Sequence, residues 1–334
     1  MVSAVIFVAT SCVSPLTGFA FWETNLAYEG EFIYNYLQVK NLSDRTILST
    51  NVLFGVQSVT MKDKGLTGMY YDTALAAPAL ADNANSALIL GMGTGTYARQ
   101  LKQYYPKMNI TGVEIDQKIT DLAGEYFDEP ADIPVTTYDG RAWLAASHDK
   151  YDVIMVDAYQ DITIPFQMSS TEFFTMVREH LNPGGVMVVN MNMISDGQGS
   201  INEALSDTIA SVFGNGNTLT ADVPNTTNRE LFAKKPGSGS EENSMQQASK
   251  ALNLRETTYE RTGSEDLEWY MEEVASRFRK VNEPDSASTI LTDDKAPVEV
   301  LGMHAIDQII ADEAGPYRQI LKDEGFGGLL RAVQ

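Results

Sequence analysis

Four short apolar runs, Ala87–Leu90, Ile110–Val113, Tyr151–Val156 and Val186–Val189, are separated by stretches with helical spacing. Continuous apolar strands alternating with helices predict a parallel sheet buried on both faces, hence an α/β fold with a doubly wound, Rossmann-like order. Ahead of this region the pattern is different. From Tyr28 to about Val59 apolar and polar residues alternate among β-formers, which predicts short strands with turns at Asn41–Asp44 and at Gly55. A helix is expected from about Leu66 to Leu80, and a strong turn at Asn182–Gly185. After the last parallel strand, an amphipathic helix over Ile201–Phe213 precedes Thr218–Val223 and Arg229–Lys235, which are suited to close the sheet as an antiparallel pair. Pro236–Ser249 is rich in Gly, Ser, Glu and Gln and reads as a mobile link. Helices around Asp266–Val281 and Ala305–Glu313 finish the chain.

Val2–Trp22 carries no charged residue and is long enough to cross a bilayer, so an N-terminal apolar helix serving as an anchor is expected, with a buried terminal segment as the alternative. It lacks the opening Lys or Arg of a cleaved secretory signal. The organisation that follows is an anchor at 1–22, a β-rich unit and helix at 23–80, a Rossmann-like ligand-binding unit at 81–235, and a link with C-terminal helices at 236–334.

Composition narrows the function. With 24 Lys and Arg against 45 Asp and Glu, the net charge over 334 residues is -21. Such a chain lacks the clustered cations that neutralise phosphates, so nucleic acid is excluded as a partner, and small cations such as polyamines become candidates. One cysteine and three histidines offer no zinc-ligand spacing and no internal disulfide.

The candidate chemistry sits at strand ends. Gly91-Met-Gly93-Thr94-Gly95 follows the first parallel strand and precedes a helix, the arrangement that lets backbone N–H groups approach a ligand. Glu114 ends the next strand, 19 residues after Gly95, where a carboxylate accepts both hydroxyls of a ribose. Asp139-Gly140 follows a third short strand, Val135–Tyr138, and Asp157 ends the fourth. Together they form a nucleoside-binding constellation at the carboxyl ends of the sheet, with Asp157 nearest the transferring group.

With these motifs in place, the chain resembles the spermidine synthase family of polyamine aminopropyltransferases, in its bacterial branch with a membrane-embedded region. The likeness runs from about Tyr28 to Asp307 and rests also on Gly55-Val-Gln57-Ser58, Leu66-Thr-Gly-Met-Tyr-Tyr-Asp72, Val156-Asp-Ala-Tyr159, Ile164-Pro165, Glu172-Phe-Phe174 and Leu291–Glu299. It implies a class I methyltransferase-type sheet behind a small N-terminal β-rich domain. The same resemblance implies Glu114 on the ribose of decarboxylated S-adenosylmethionine, Asp139 and Gly140 at its adenine, Pro165 against that ring, and Asp157 as the base that deprotonates an acceptor amine such as putrescine. Gly91, Gly93, Thr94, Gly95 and Asn35 join the donor-binding set, Thr94 standing where the family carries Asp and Asn35 where it carries Gln. Gln57, Tyr70, Tyr71, Tyr159, Gln160 and Asp161 are implied for the acceptor channel, Gln160 replacing the second Asp of an Asp-x-x-Asp motif. Asp293 and Asp294 are expected to cap the following helix or to face that channel.

The family resemblance further implies no permanently bound cofactor, a homo-oligomer formed through the β-rich region, and a catalytic domain in the cytoplasm or anchored on its side of a membrane. A methyltransferase using S-adenosylmethionine, and a non-catalytic nucleoside- or polyamine-binding protein, are the alternatives.

Overall fold

The computed structural model of the protein describes residues 24–51, 56–63, 65–158, 164–191, 199–237, 244–285, 288–304 and 322. Four strands open it: β1 (Leu26–Glu31), β2 (Tyr36–Asn41), β3 (Arg45–Thr50) and β4 (Ser58–Met61). They form an antiparallel sheet in chain order. Alternation decides its packing, because Leu37, Val39 and Leu48 fall on one face and meet Ile119, Leu122 and Phe127. Phe127 and Leu37 are fully buried there, which fixes this sheet against the larger unit.

The rest is an eight-stranded sheet. Its strands are β5 (Ser86–Leu90), β6 (Asn109–Glu114), β7 (Val135–Thr137), β8 (Tyr151–Val156), β9 (Leu181–Met191), β10 (Thr218–Asp222), β11 (Arg229–Lys234) and β12 (Phe278–Lys280). Their spatial order is β12-β10-β11-β9-β8-β5-β6-β7. From β7 to β9 the neighbours are parallel, and β11, β10 and β12 add on antiparallel. The helices are α1 (Tyr70–Ala74), α2 (Ala76–Leu80), α3 (Thr96–Tyr104), α4 (Gln117–Tyr126), α5 (Gly140–Ala146), α6 (Thr171–His180), α7 (Ile201–Phe213), α8 (Ser244–Ala248), α9 (Ala251–Thr262) and α10 (Glu265–Arg277). Separate apolar clusters cover the two faces of the sheet, one gathering α1, α2, α3 and α10, the other α6 and α7. Every residue of β8 is buried, as the unbroken apolar run requires.

Several expectations need correction. Instead of one helix over 66–80 there are α1 and α2, divided at Leu75. Pro78 has no N–H to donate back to Ala74, and the Asp72 carboxylate takes Thr67 N, Thr67 Oγ1 and Gly68 N, so the chain before Tyr70 is a tight loop. Asn182–Gly185 does not stand as a turn ahead of the last parallel strand. It is absorbed into β9 opposite a register shift between Tyr151 and Val153, with Gly184 at φ 78°. Helix α10 stops at Arg277, because the next three residues find the free edge of β10. Part of the expected mobile link is α8, whose Met245 is fully buried, while residues 238–243 fall outside the described residues. Asp293 neither caps a following helix nor faces a channel: its carboxylate clamps Arg141 at 2.7 and 2.6 Å and accepts from Ser170 Oγ at 2.5 Å, pinning the C-terminal segment to α5 and α6.

The apolar run at 2–22, the turn at Gly55 and the helix at 305–313 lie outside the described residues. Among the described residues no helix is long and apolar enough to cross a membrane.

The turn after β5 has the tightest backbone approach. Gly91 adopts φ 89°, and a Cβ there would lie 2.4 Å from the carbonyl oxygen of Asp157. Gly91→Ala combines a strained conformation with that overlap, so it is expected to lower the unfolding free energy by about 1–3 kcal/mol or more. Chemical denaturation checks this, and a variant as stable as the parent would contradict the described turn.

Candidate active site

A cavity of about 490 Å³ opens where the carboxyl ends of β5, β6, β7 and β8 meet the N-terminal sheet. The two sheets are tied across it, since Asn35 Nδ2 donates to Asp116 Oδ2 at 2.9 Å while its own Oδ1 accepts from Asn51 Nδ2 at 2.9 Å. Asp116 also caps α4 by accepting from Lys118 N. Asn35 therefore lines the cavity and at the same time acts as a clamp.

Glu114, at the last position of β6, is buried. Its Oε2 accepts from Gly93 N at 2.8 Å and its Oε1 from Asp116 N at 3.1 Å. Those two bonds fix both oxygens toward the cavity and leave each a lone pair for a ligand hydroxyl. Burial pushes its carboxyl above the ordinary range, while the backbone donors pull it down. Asp139 performs the modest task open to any strand-end aspartate, accepting from Ala142 N at 2.8 Å to cap α5, yet it also lines the cavity beside Gly140 and Pro165.

Asp157 stands at the end of β8. Its Oδ2 accepts from Tyr70 Oη at 2.5 Å and its Oδ1 from Asn190 Nδ2 at 2.9 Å. Removal from water is the largest influence and pushes this carboxyl up to about 7, the two hydrogen bonds opposing the rise and the charge of Glu114 adding to it. Tyr70 and Tyr71 stack at 4.0 Å between ring centroids, tilted by 36°. Tyr71 Oη donates to the backbone carbonyl of Gln57 at 3.1 Å and lies 3.2 Å from Ser58 Oγ, so Tyr71 is braced by the segment at the start of β4.

The structure thus brings together Asn35, Gln57, Tyr70, Tyr71, Gly91, Gly93, Glu114, Asp139, Gly140, Asp157 and Pro165 around one cavity. Two of the expected residues lie off its wall. Thr94 is fully buried with its hydroxyl 3.4 Å from that of Thr96, and Gly95 serves as the N-cap of α3 at φ 77°. Tyr159, Gln160 and Asp161 fall outside the described residues. Asn190 and Asn228 were missed: both line the cavity, with Asn228 Nδ2 donating to Asn190 Oδ1 at 2.8 Å. Asn190 follows the apolar run of β9 much as Asp157 follows that of β8, so the strand-end rule already pointed to it. Glu114, Asp139 and Asp157 line the cavity, and among the described residues no Lys, Arg or His does.

The description "Spermine/spermidine synthase domain" matches residues 69–235. A probable polyamine aminopropyl transferase of Bifidobacterium longum is 99% identical over 334 residues, covering 100% of this chain and 75% of that protein. The chain belongs to the spermine/spermidine synthase family. Another relative in this family, a polyamine aminopropyltransferase of Corynebacterium efficiens, is 37% identical over 131 residues, 36% of this chain and 25% of that protein. In fold, the chain is similar to the crystal structure of a probable spermidine synthase from Corynebacterium glutamicum, with a TM-score of 0.57 and 22% identity over 80% of this chain and 99% of that one.

The position of Asp157 has a measurable consequence for stability. A carboxyl raised from 3.8 to about 7 binds its proton more tightly folded than unfolded. Its contribution to stability is therefore fully present below about 3.8 and is lost as pH rises toward 7. Asp157→Asn is expected to gain stability relative to the parent on going from pH 5 to pH 8. Denaturation midpoints of both proteins at the two pH values test this, and a pH-independent difference would contradict the buried, raised carboxyl.

Proposed function

We propose that this protein is a polyamine aminopropyltransferase that moves the aminopropyl group of decarboxylated S-adenosylmethionine to a primary amine of a diamine such as putrescine. The observation that carries this reading is the cavity wall, which offers three carboxylates and, among the described residues, no basic side chain. Both substrates of the proposed reaction are cations, and intact S-adenosylmethionine would bring a carboxylate into that field without a side-chain cation to meet it. The wall favours aminopropyl transfer over methyl transfer for that reason.

In this reading Glu114 takes the ribose hydroxyls on its free lone pairs, Asp139 and Gly140 border the adenine, and Pro165 lies against the ring. The backbone of Gly91 and Gly93 approaches the donor closely because neither carries a Cβ. Residues 81–235 bind the donor and carry out the transfer, and residues 23–80 cover the acceptor side through Gln57, Tyr70 and Tyr71. Tyr159, Gln160 and Asp161 follow Asp157 after Ala158 in sequence and belong with the acceptor.

The acceptor arrives protonated, since a primary amine with a solution pKa of about 10 is almost wholly an ammonium at neutral pH. Asp157 attracts the ammonium and takes one of its protons. The freed nitrogen attacks the carbon next to the sulfonium, a C–N bond forms as the C–S bond breaks, and the electron pair leaves with sulfur as neutral methylthioadenosine. A carboxyl poised near 7 suits that exchange, because it is ionised often enough to accept the proton and basic enough to hold it. Tyr70 keeps Oδ2 aimed, and the paired rings of Tyr70 and Tyr71 can flank a methylene chain and its ammonium heads.

Asp157→Asn is expected to leave donor affinity nearly unchanged while turnover falls by about a hundredfold or more. Glu114→Ala is expected to weaken donor binding instead. Release of methylthioadenosine from the decarboxylated donor and putrescine, measured by chromatography beside equilibrium donor binding, checks both. Formation of S-adenosylhomocysteine from intact S-adenosylmethionine would overturn the reading in favour of methyl transfer.

A further inference from the structure

One buried carboxylate has no part in the mechanism above. Glu230 on β11 pairs in register with Asn190 on β9, and the β8–β9 register, ending Val156↔Val189, brings Asp157 beside Asn190 in turn. Asp157, Asn190 and Glu230 therefore form a row across three neighbouring strands, on the face packed against α1. Strands lie about 4.8 Å apart, so the backbones of the two acids are separated by about 10 Å, the scale of a short aliphatic chain held between two side chains. Asp157 and Asn190 are joined at 2.9 Å, and Asn190 is joined to Asn228 at 2.8 Å. Glu230 is fully buried, and among the described residues neither of its carboxylate oxygens has a hydrogen-bond partner.

A buried carboxyl with neither oxygen paired is costly, and the cost falls away when a cation meets it. Among the described residues, the charge of Asp157 bears on Glu230, and Glu230 in turn bears on Tyr71 and Tyr97; none of the three supplies a positive charge. Tyr71, Tyr97, Asn190 and Asn228 all line the cavity, so Glu230 lies directly behind that stretch of wall. We propose that Glu230 is the second anchor of the acceptor, meeting the far ammonium of a diamine or longer polyamine whose near amine lies at Asp157. Glu230 thereby sets a preference for acceptors with two cationic ends over monoamines of equal length. The inference rests on the aminopropyltransferase reading and adds to it the residue that counts the acceptor's charges.

Burial and the nearby charge of Asp157 both push the Glu230 carboxyl well above the ordinary range. A far ammonium beside it acts in the opposite direction, favouring the ionised form and so the release of a proton to solvent.

Glu230→Gln keeps the size and removes the negative charge. The ratio of KM for n-butylamine to KM for putrescine is expected to fall about tenfold to a hundredfold in the variant, the scale of a lost charge-assisted bond. Donor KM stays a control on folding. In parallel, calorimetry of putrescine binding to the unaltered protein in two buffers of different ionisation enthalpy reads proton release near pH 7.5, which needs no variant. The proposal expects release with putrescine exceeding that with n-butylamine. Equal release with the two amines, or an unchanged KM ratio in the variant, would overturn it. Failure of the unaltered protein to form methylthioadenosine with any amine would instead remove the reading on which the proposal rests.

Discussion

The cavity is organised by carboxylates held out of water with, among the described residues, no basic side chain on its wall to balance them. Glu114 and Asp157 are both pushed upward by burial, and the charge of Glu114 adds to the cost of ionising Asp157. Backbone N–H groups stabilise Glu114, and the Tyr70 and Asn190 side chains stabilise Asp157. Neutral donors reduce the penalty without cancelling the field, and a cation entering the cavity relieves what remains.

The fold supplies this environment by convergence. Parallel strands deliver their carboxyl ends to one edge, so Glu114, Asp139 and Asp157, far apart in sequence, point into the same space. A single parallel sheet would leave that space open on one side. The N-terminal sheet closes it, held by the Leu37, Val39 and Leu48 face against α4 and by the Asn35–Asp116 bond. Tyr71 is braced against Gln57 and Ser58, so the cavity wall is built from both sheets.

What the sequence made legible follows from the range of the interactions involved. Strands β5, β6, β8 and β9 were readable because burial on both faces writes an uninterrupted apolar run. Glycines 91, 93 and 95 and the acids at strand ends were readable because position along a strand fixes where a side chain emerges. Strand β12 was not, because its extended form depends on a free edge at β10 that only the folded sheet provides. Asp72 belongs to a motif that carries the family resemblance, yet its carboxylate is consumed by Thr67, Gly68 and Gln100. Thr94 looked like a ligand contact, and the turn faces it inward. Glu230 carried no local signal at all, since its meaning arises from the register of β11 against β9.

On the proposed reading, this cavity selects a cationic donor because no described side chain on its wall can neutralise a donor carboxylate. Equilibrium binding of decarboxylated and intact S-adenosylmethionine to the full chain tests it most directly, because the two nucleosides differ only in that group. The account predicts clearly tighter binding of the decarboxylated compound, with the gap narrowing as salt is raised. Equal affinity, or tighter binding of the intact compound, would contradict it.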